Sequence, residues 1–386
     1  MDSTGPIQPQ LSKPAEMRVH FYDIRSQYED LRQPIDRAVL DVLAGGVFVM
    51  GPHGEALERD IADLHGVRYG IAVNSGTDAL RILLDAAGIG PGDEVITTAF
   101  TFVASVETIM QTGATPVFVD IDPATFMIDA SKIRAAITPR TKAIMPIHLF
   151  GQLANVAEIT KIARENGLKV IEDAAQALGS THNGVAAGKF GIGAGLSFYV
   201  TKNLGAAGDG GLILTDDPEI RELCRSIRIH GMGVERYYYD HVGYTSRLDE
   251  IQAAILEVKL RSLADWNARR AEIATQYLEA LAGVPVTLPI VSPGNHHTWH
   301  QFCIRTPRRD EIQRDLKENG IDSMIYYPVP IHFHAPYRHL AEEGSLPETE
   351  RAAREILSLP IHPHLTDEQV QHVARQLVVS EAALKA

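Results

Sequence analysis

Lys202 stands where a lysine is out of pattern: it follows the apolar run GLSFYVT and precedes the turn Asn203-Leu204-Gly205, whereas lysines ordinarily project from helix faces or loop tips. An amine held away from water loses proton affinity and becomes both a nucleophile and an acid–base group near neutral pH. The ordinary alternative is a strand-end lysine whose stem carries its charge out to solvent. Two further positions share its setting, directly after a short apolar run. Asp173 closes LKVIED (168–173) and leaves a carboxylate at the strand end; a helix cap or a solvated strand end is the plain alternative. Asn74-Ser75-Gly76-Thr77 follows GIAV (70–73) and opens a helix. The free amides, hydroxyls and positive helix end of such a turn suit a phosphate, although Asn74 or Ser75 could equally be a simple cap.

These positions depend on the elements that carry them. Short apolar runs, GIAV (70–73), EVITT (94–98), TPVFVD (115–120), TKAIMPIH (141–148) and LKVIED (168–173), alternate with helix-like segments such as TDALRILLDAAG and NVAEITKIARENG. That alternation predicts an α/β fold with a mainly parallel sheet flanked by helices, and in such sheets ligands sit at the carboxyl ends of the strands. A Pro-rich opening to about residue 18 reads as a loose arm, and QYEDLRQPIDRAVLDVLAGG as one amphipathic helix ending at Gly45-Gly46. One long helix is expected over 246–281, with Ile251, Ile255 and Val258 on one face. Beyond the break GVPVTLPIVSPGN, a strand-like WHQFCIR, a helix DEIQRDLKENG and a last helix from near Thr366 predict a smaller α/β domain. The expected division is an arm over 1–20, a large domain over 21–262 and a small domain over 263–386.

An amine, an acid and a phosphate cradle at one sheet edge are the parts that pyridoxal phosphate needs. The amine forms a Schiff base with the aldehyde, the acid keeps the pyridine nitrogen protonated, and the helix start anchors the phosphate. The strings NSGTDAL (74–80), EDAAQALGS (172–180), SFYVTKNLGAAGDGG (197–211) and GYTSRLDEIQAAIL (243–256) carry a more specific likeness. In this order and spacing the chain, from about His20 to its end, resembles the DegT/DnrJ/EryC1/StrS family of sugar aminotransferases. The resemblance implies fold type I, a large domain with a seven-stranded, mainly parallel sheet and a smaller C-terminal α/β domain. It also implies pyridoxal 5'-phosphate as cofactor, glutamate as amino donor, a nucleotide-linked keto-sugar as acceptor, and a homodimer with shared sites, so that a monomer should be inactive.

Carried over by position, Lys202 is the Schiff-base lysine and Asp173 the pyridinium partner, with Gln176 beside the cofactor's phenolic oxygen. Ser75, Gly76, Thr77 and Ser197 are expected at the phosphate, and Phe102 on the pyridine ring unless it simply packs in the core. One position departs: the family's GYNSRLDE reads GYTSRLDE here, so Thr245, expected to reach the partner subunit's phosphate site, offers one donor hydrogen where an amide has two. Arg247 is a candidate for a substrate carboxylate or phosphate, or else a helix-start ion pair with Asp249 or Glu250. His332 in YYPVPIH is a candidate for facing the sugar, or an ordered loop histidine, and that string favours amination at C3 over C4. Members that dehydrate their sugar carry histidine where Lys202 stands.

Composition narrows the remaining classes. With 45% hydrophobic and 22% charged residues the chain belongs with globular proteins, and a net charge of -13 argues against nucleic-acid and anionic-membrane surfaces. Two cysteines without CxxC spacing fit buried thiols in a reducing compartment, and no leader-like or 18-residue apolar run is evident, so the expected location is the cytoplasm. Among sixteen histidines, HFH and HPH lack zinc-like spacing, so no metal is expected. GKFGIGAG does not form the G-x-G-x-x-G of a dinucleotide site. A non-catalytic regulator that binds cofactor or sugar nucleotide as a signal is the alternative from another class.

Overall fold

The computed structural model describes residues 17–383. Its strands are β1 (Tyr69–Val73), β2 (Glu94–Thr97), β3 (Thr115–Phe118), β4 (Thr141–Ile144), β5 (Lys169–Asp173), β6 (Thr181–His182), β7 (Val185–Ala186), β8 (Gly193–Ser197), β9 (Gly211–Thr215), β10 (Asn295–His296), β11 (Phe302–Arg305) and β12 (Ile356–Leu359). The five apolar runs become β1 to β5, and seven strands form one sheet in the order β1-β9-β8-β5-β4-β2-β3. Only β9 runs against its neighbours, β1 and β8. Strands β2 and β5 are buried along nearly their whole length rather than at alternate residues, as helices on both sides require.

The chain leaves β8 at Ser197, earlier than the apolar pattern suggested. Residues 198–210 fold back on themselves, with Phe198 and Ala206 joined by N–H···O=C at 2.8 Å and Val200 and Gly208 at 3.1 Å. Lys202 therefore sits in a turn that overhangs the sheet edge, not at the strand end itself.

Two predicted single helices are each broken in two. Ile24–Asp30 and Arg32–Gly45 meet at Leu31, because Pro34 has no N–H and its ring would collide with the carbonyl of Asp30 in a continuous helix. The long pattern over 246–281 divides into Glu250–Leu260 and Leu263–Ala280. The first half packs Ala253 and Leu256 on the core beneath the sheet, whereas the second places Ile273, Ala274 and Tyr277 in another core built around the antiparallel pair β11 and β12. One straight helix could not bury both faces. Residues 1–16, most of the expected arm, lie outside the described residues. Val19 is fully buried in this second core and is clamped by hydrogen bonds of 2.9 Å to and from the strand-like segment at 320–322.

The helix Pro52–His65 is capped from far away in sequence. Glu250, 1% exposed, accepts from the amides of Gly51, His53 and Gly54, each at 2.9 Å. A carboxylate against a helix N-terminus satisfies orphan donors and the helix dipole together. Glu250→Ala is therefore expected to destabilise the protein by about 3 kcal/mol, since buried donors lose their acceptor, read as a lower denaturant midpoint with an unchanged slope. Among the described residues no helix is long and apolar enough to cross a membrane.

Candidate active site

The carboxyl ends of β5 and β8, adjacent and parallel in the sheet, open on a cavity of about 540 Å³ lined by Ser75, Gly76, Thr77, Phe102, Asp173, Gln176, Ser197 and Lys202. Eight of the residues singled out in the sequence thus converge on one space.

Asp173 terminates β5, 5% exposed. Its Oδ2 accepts from the Ser105 hydroxyl at 2.6 Å and its Oδ1 from the amide of Ala175 at 3.1 Å, and Ser105 Oγ lies 2.9 Å from Thr101 Oγ1. Because the Ser105 proton is committed to the carboxylate, Thr101 is the donor in that second contact. The aspartate is held in place by neutral donors and keeps its charge free for a group in the cavity.

The Lys202 side chain shares the cavity with this carboxylate. The protein around it strips the amine of water and lowers its pKa to about 8, while the Asp173 charge pulls the other way. The helix Gly76–Ala86 begins on the opposite side, where Ser75 caps it by accepting from the amide of Asp78 at 3.1 Å. The first amides of such a helix have no intrahelical acceptor. Gly76 is required here, because a Cβ would stand 2.7 Å from the Cβ of Ser197. That close approach brings the helix start and the Ser197 hydroxyl to one point.

Gln176 is engaged at both ends of its amide, with Oε1 accepting from the amide of Phe150 at 2.9 Å and Nε2 donating to the Tyr327 hydroxyl at 3.0 Å. Phe102 is 56% exposed, with its ring centroid 6.3 Å from that of Tyr327. That exposure excludes core packing and leaves the ring open on the cavity.

Three residues singled out in the sequence lie off this cavity. Thr245 is exposed and its hydroxyl is 2.9 Å from His230 Nε2. Arg247 is half-buried and makes no ion pair with Asp249 or Glu250 among the described residues, Glu250 being occupied by the helix amides. His332 is set apart from the cavity: 2% exposed, it places Nε2 3.3 Å from Glu350 Oε1 and stacks edgewise on Phe333. Burial among aromatic neighbours, not a ligand, accounts for its order. Among the described residues no cluster of three or more histidine, cysteine or acidic side chains could hold a metal.

The cavity wall also holds residues the sequence reading passed over. Ser105 lies three positions beyond Phe102 in the same string, close enough to have been noticed as a serine on the first turn of a helix. Tyr326 and Tyr327, at the start of YYPVPIH, line the cavity as well. Tyr22, His300 and Gln301 have no local pattern; Gln301 Nε2 donates to the Tyr22 hydroxyl at 3.0 Å, which is 3.0 Å from that of Tyr326. Segments from the start, middle and end of the chain close the cavity together.

A buried, depressed lysine, a fixed carboxylate and a glycine-dependent helix start fit an anionic aldehyde with a basic ring nitrogen, and the fit is of this chain's own atoms. A model of the DegT/DnrJ/EryC1/StrS aminotransferase family matches residues 29–378. A pleiotropic regulatory protein of Geobacillus stearothermophilus is 49% identical over 365 residues, covering 94% of this chain and 98% of that one. The UDP-N-acetyl-3-dehydro-alpha-D-glucosamine 3-aminotransferase of Acidithiobacillus ferrooxidans is 44% identical over 356 residues, covering 92% and 96%. The crystal structure of S. venezuelae DesV in complex with a ketimine intermediate superposes with a TM-score of 0.92 at 42% identity, over 94% of this chain and 98% of that chain.

Proposed function

Since the chain belongs to the DegT/DnrJ/EryC1/StrS aminotransferase family, we propose that it moves an amino group from glutamate to C3 of a nucleotide-linked keto-sugar, using pyridoxal 5'-phosphate held in the cavity around Lys202. The observation that carries this reading is the depressed Lys202 amine, in the turn after β8, sharing one cavity with the Asp173 carboxylate at the end of the neighbouring β5. The 3-aminotransferase of Acidithiobacillus ferrooxidans supports C3 as the acceptor carbon.

When bound, pyridoxal phosphate supplies an electron sink for the pair left behind as the donor's α-proton departs. The chain's own groups do the rest. The Gly76 and Thr77 amides and the Ser197 hydroxyl would hold the phosphate, with Ser75 fixing the helix start. Asp173, braced by Ser105 and the Ala175 amide, would keep a proton on the pyridine nitrogen. Phe102 would cover the ring, and Gln176, which orients Tyr327, would sit beside it. The Lys202 amine would bond the aldehyde carbon when no donor is present and, when free, would take the proton from the donor's α-carbon. With a pKa near 8, about a tenth of free amines are unprotonated at pH 7, against fewer than about one in a thousand for an ordinary lysine.

A homodimer completes the reading. Leu40, Leu43, Val47, Phe48, Val49 and Met50 are exposed in one stretch of chain and Tyr199 is exposed beside the cavity, apolar side chains that a second copy would cover. Exposed Thr245 would then reach the partner's phosphate site through its hydroxyl. The break between Leu260 and Leu263 and the separate cores on its two sides support domains over 21–262 and 263–386. Free, buried Cys224 and Cys303 suit the cytoplasm.

The test is an absorbance spectrum of the purified protein with pyridoxal phosphate, before and after excess glutamate. A protein-linked visible band that converts to the pyridoxamine form is the expected result, followed by turnover with 3-keto-sugar nucleotides. The regulatory name of the Geobacillus relative raises the sensor alternative, in which the band forms and glutamate leaves it unchanged.

A further inference from the structure

Lys259, in the helix Glu250–Leu260, is 4% exposed, and its Nζ donates to the Gly205 carbonyl oxygen at 2.7 Å. Gly205 belongs to the turn that carries Lys202, and a Cβ there would run into the Val200 carbonyl, so the turn closes without slack. Its two sides face different spaces. Tyr199, Thr201 and Lys202 line the site cavity, whereas Val200, Ala206 and Ala207 line a second cavity of about 510 Å³, with Lys259 and mostly apolar neighbours such as Ile35 and Ile255. The one acid of that second cavity, exposed Asp36, accepts from the Tyr28 hydroxyl at 2.8 Å. Among the described residues the Lys259 ammonium makes no ion pair, and burial alone lowers its pKa to about 8. A cation taken out of water without a counter-charge costs stability, and at pH 7, below that pKa, it burdens the folded chain more than the unfolded one. Its single hydrogen bond goes to the backbone of the lysine-bearing turn. The same helix grips the turn a second time: Gln252 accepts from the Ala207 amide at 2.8 Å and donates to the Ala207 carbonyl at 3.4 Å.

Resting on the aminotransferase reading, we propose that Lys259 is a positioning residue for Lys202: by holding the Gly205 carbonyl it fixes the turn, so that the Lys202 amine keeps its place in the cavity during proton transfer. The ammonium is a stronger donor to a carbonyl than a neutral group would be, and it reaches the turn from the side away from the site, where it touches none of the reacting atoms. Without that donor the Gly205 carbonyl regains a partner only by turning toward water, and the turn loosens with it. A proton carrier that is less well placed transfers more slowly, because a displacement of about 1 Å costs up to about 10²-fold in rate.

The experiment compares full-length wild type with Lys259→Met, which keeps the length of the side chain and removes the charge, and with Lys259→Arg, which restores a donating cation and for which the adjoining cavity leaves room. In the cofactor-free protein, the hydrogen-bonded amides of Val200, Lys202 and Ala206 should exchange with deuterated water about tenfold faster in Lys259→Met, with β5 and β8 unchanged. The urea midpoint at pH 7 should be no lower than that of wild type, since a buried charge has gone. In the protein loaded with pyridoxal phosphate and mixed rapidly with saturating glutamate, the rate constant for conversion of the visible band, counted per loaded site, should fall about tenfold. The glutamate concentration for half-saturation should stay the same, and deuterium at the donor's α-carbon should slow the variant by a larger factor than the wild type. Lys259→Arg should recover both the exchange and the rate constant. Unchanged exchange in the turn, an unchanged rate constant, or no recovery in Lys259→Arg overturns the proposal. A lowered midpoint or a Lys259→Met chain that does not fold overturns it too, by assigning Lys259 to the stability of the fold. A protein that takes up no pyridoxal phosphate would instead sink the aminotransferase reading, with the exchange and the midpoint still reporting on Lys259.

Discussion

Lys202→Ala yields a folded protein that has lost the protein-linked band and about 10⁴-fold or more of its turnover, because the tether and the proton carrier are the same amine. A second expected result separates this from simple damage. The amine's pKa falls from 10.5 in the open chain to about 8 in the folded protein, so between these values the unfolded chain binds the additional proton. Stability therefore rises with pH across that window and is reduced below it. Alanine removes the burden, so the cofactor-free variant should be more stable than the wild type at pH 7, by up to about 3 kcal/mol, and should lose that part of the alkaline rise. Urea unfolding at pH 7 and at pH 10 measures both; a destabilised variant with an unchanged pH slope would contradict the placement of the amine.

Asp173→Asn removes a charge while keeping the shape. The Ser105 hydroxyl can turn from donor to acceptor toward an amide nitrogen, and the Ala175 amide still meets an oxygen. Folding should be nearly unaffected, yet kcat should fall by roughly 10²–10³-fold, the scale for loss of one preorganised electrostatic partner. The same variant predicts a change in the lysine. Asp173 is the charge that opposes the desolvation of Lys202, so its loss lowers the lysine pKa further, and formaldehyde labelling of the cofactor-free variant should reach its plateau at lower pH. A normal kcat in Asp173→Asn would remove the aspartate from the proposed chemistry.

Lys202, Asp173 and the turn at Ser75 to Thr77 were legible in the sequence because each follows an apolar run, and a parallel sheet delivers all such positions to one edge. Phe102 was legible as an aromatic near that edge, though only its exposure separates a cavity ring from a core ring. The break at Leu31 was legible too, had Pro34 been weighed against the carbonyl four residues before it. His300, Gln301 and Tyr22 were not, since nothing local distinguishes a histidine after a tryptophan from any other. Their positions follow from the second core, whose packing carries residues 299–302 and the chain around 19–22 to the cavity. His332 shows the converse: of the two readings its string allowed, the ordered loop histidine is the one its glutamate and two phenyl neighbours match, and it does not line the cavity.

The distant cap on Pro52–His65 and the sheet order also bear on how the chain is born. β1 hydrogen-bonds in the sheet only to β9, some 140 residues later, and the helix that precedes β1 waits for Glu250, 199 residues beyond Gly51. A ribosome adding residues one at a time must therefore extrude more than half of the polypeptide before its first strand has a neighbour, and about two thirds before its third helix has an anion. Contacts of such long sequence separation fold slowly and leave apolar segments exposed in the interval. Nascent chains arrested before residue 211 should consequently show the β2 to β5 region protected from protease while residues 52–73 remain open to cleavage, with protection of that stretch arriving only as Glu250 clears the exit tunnel.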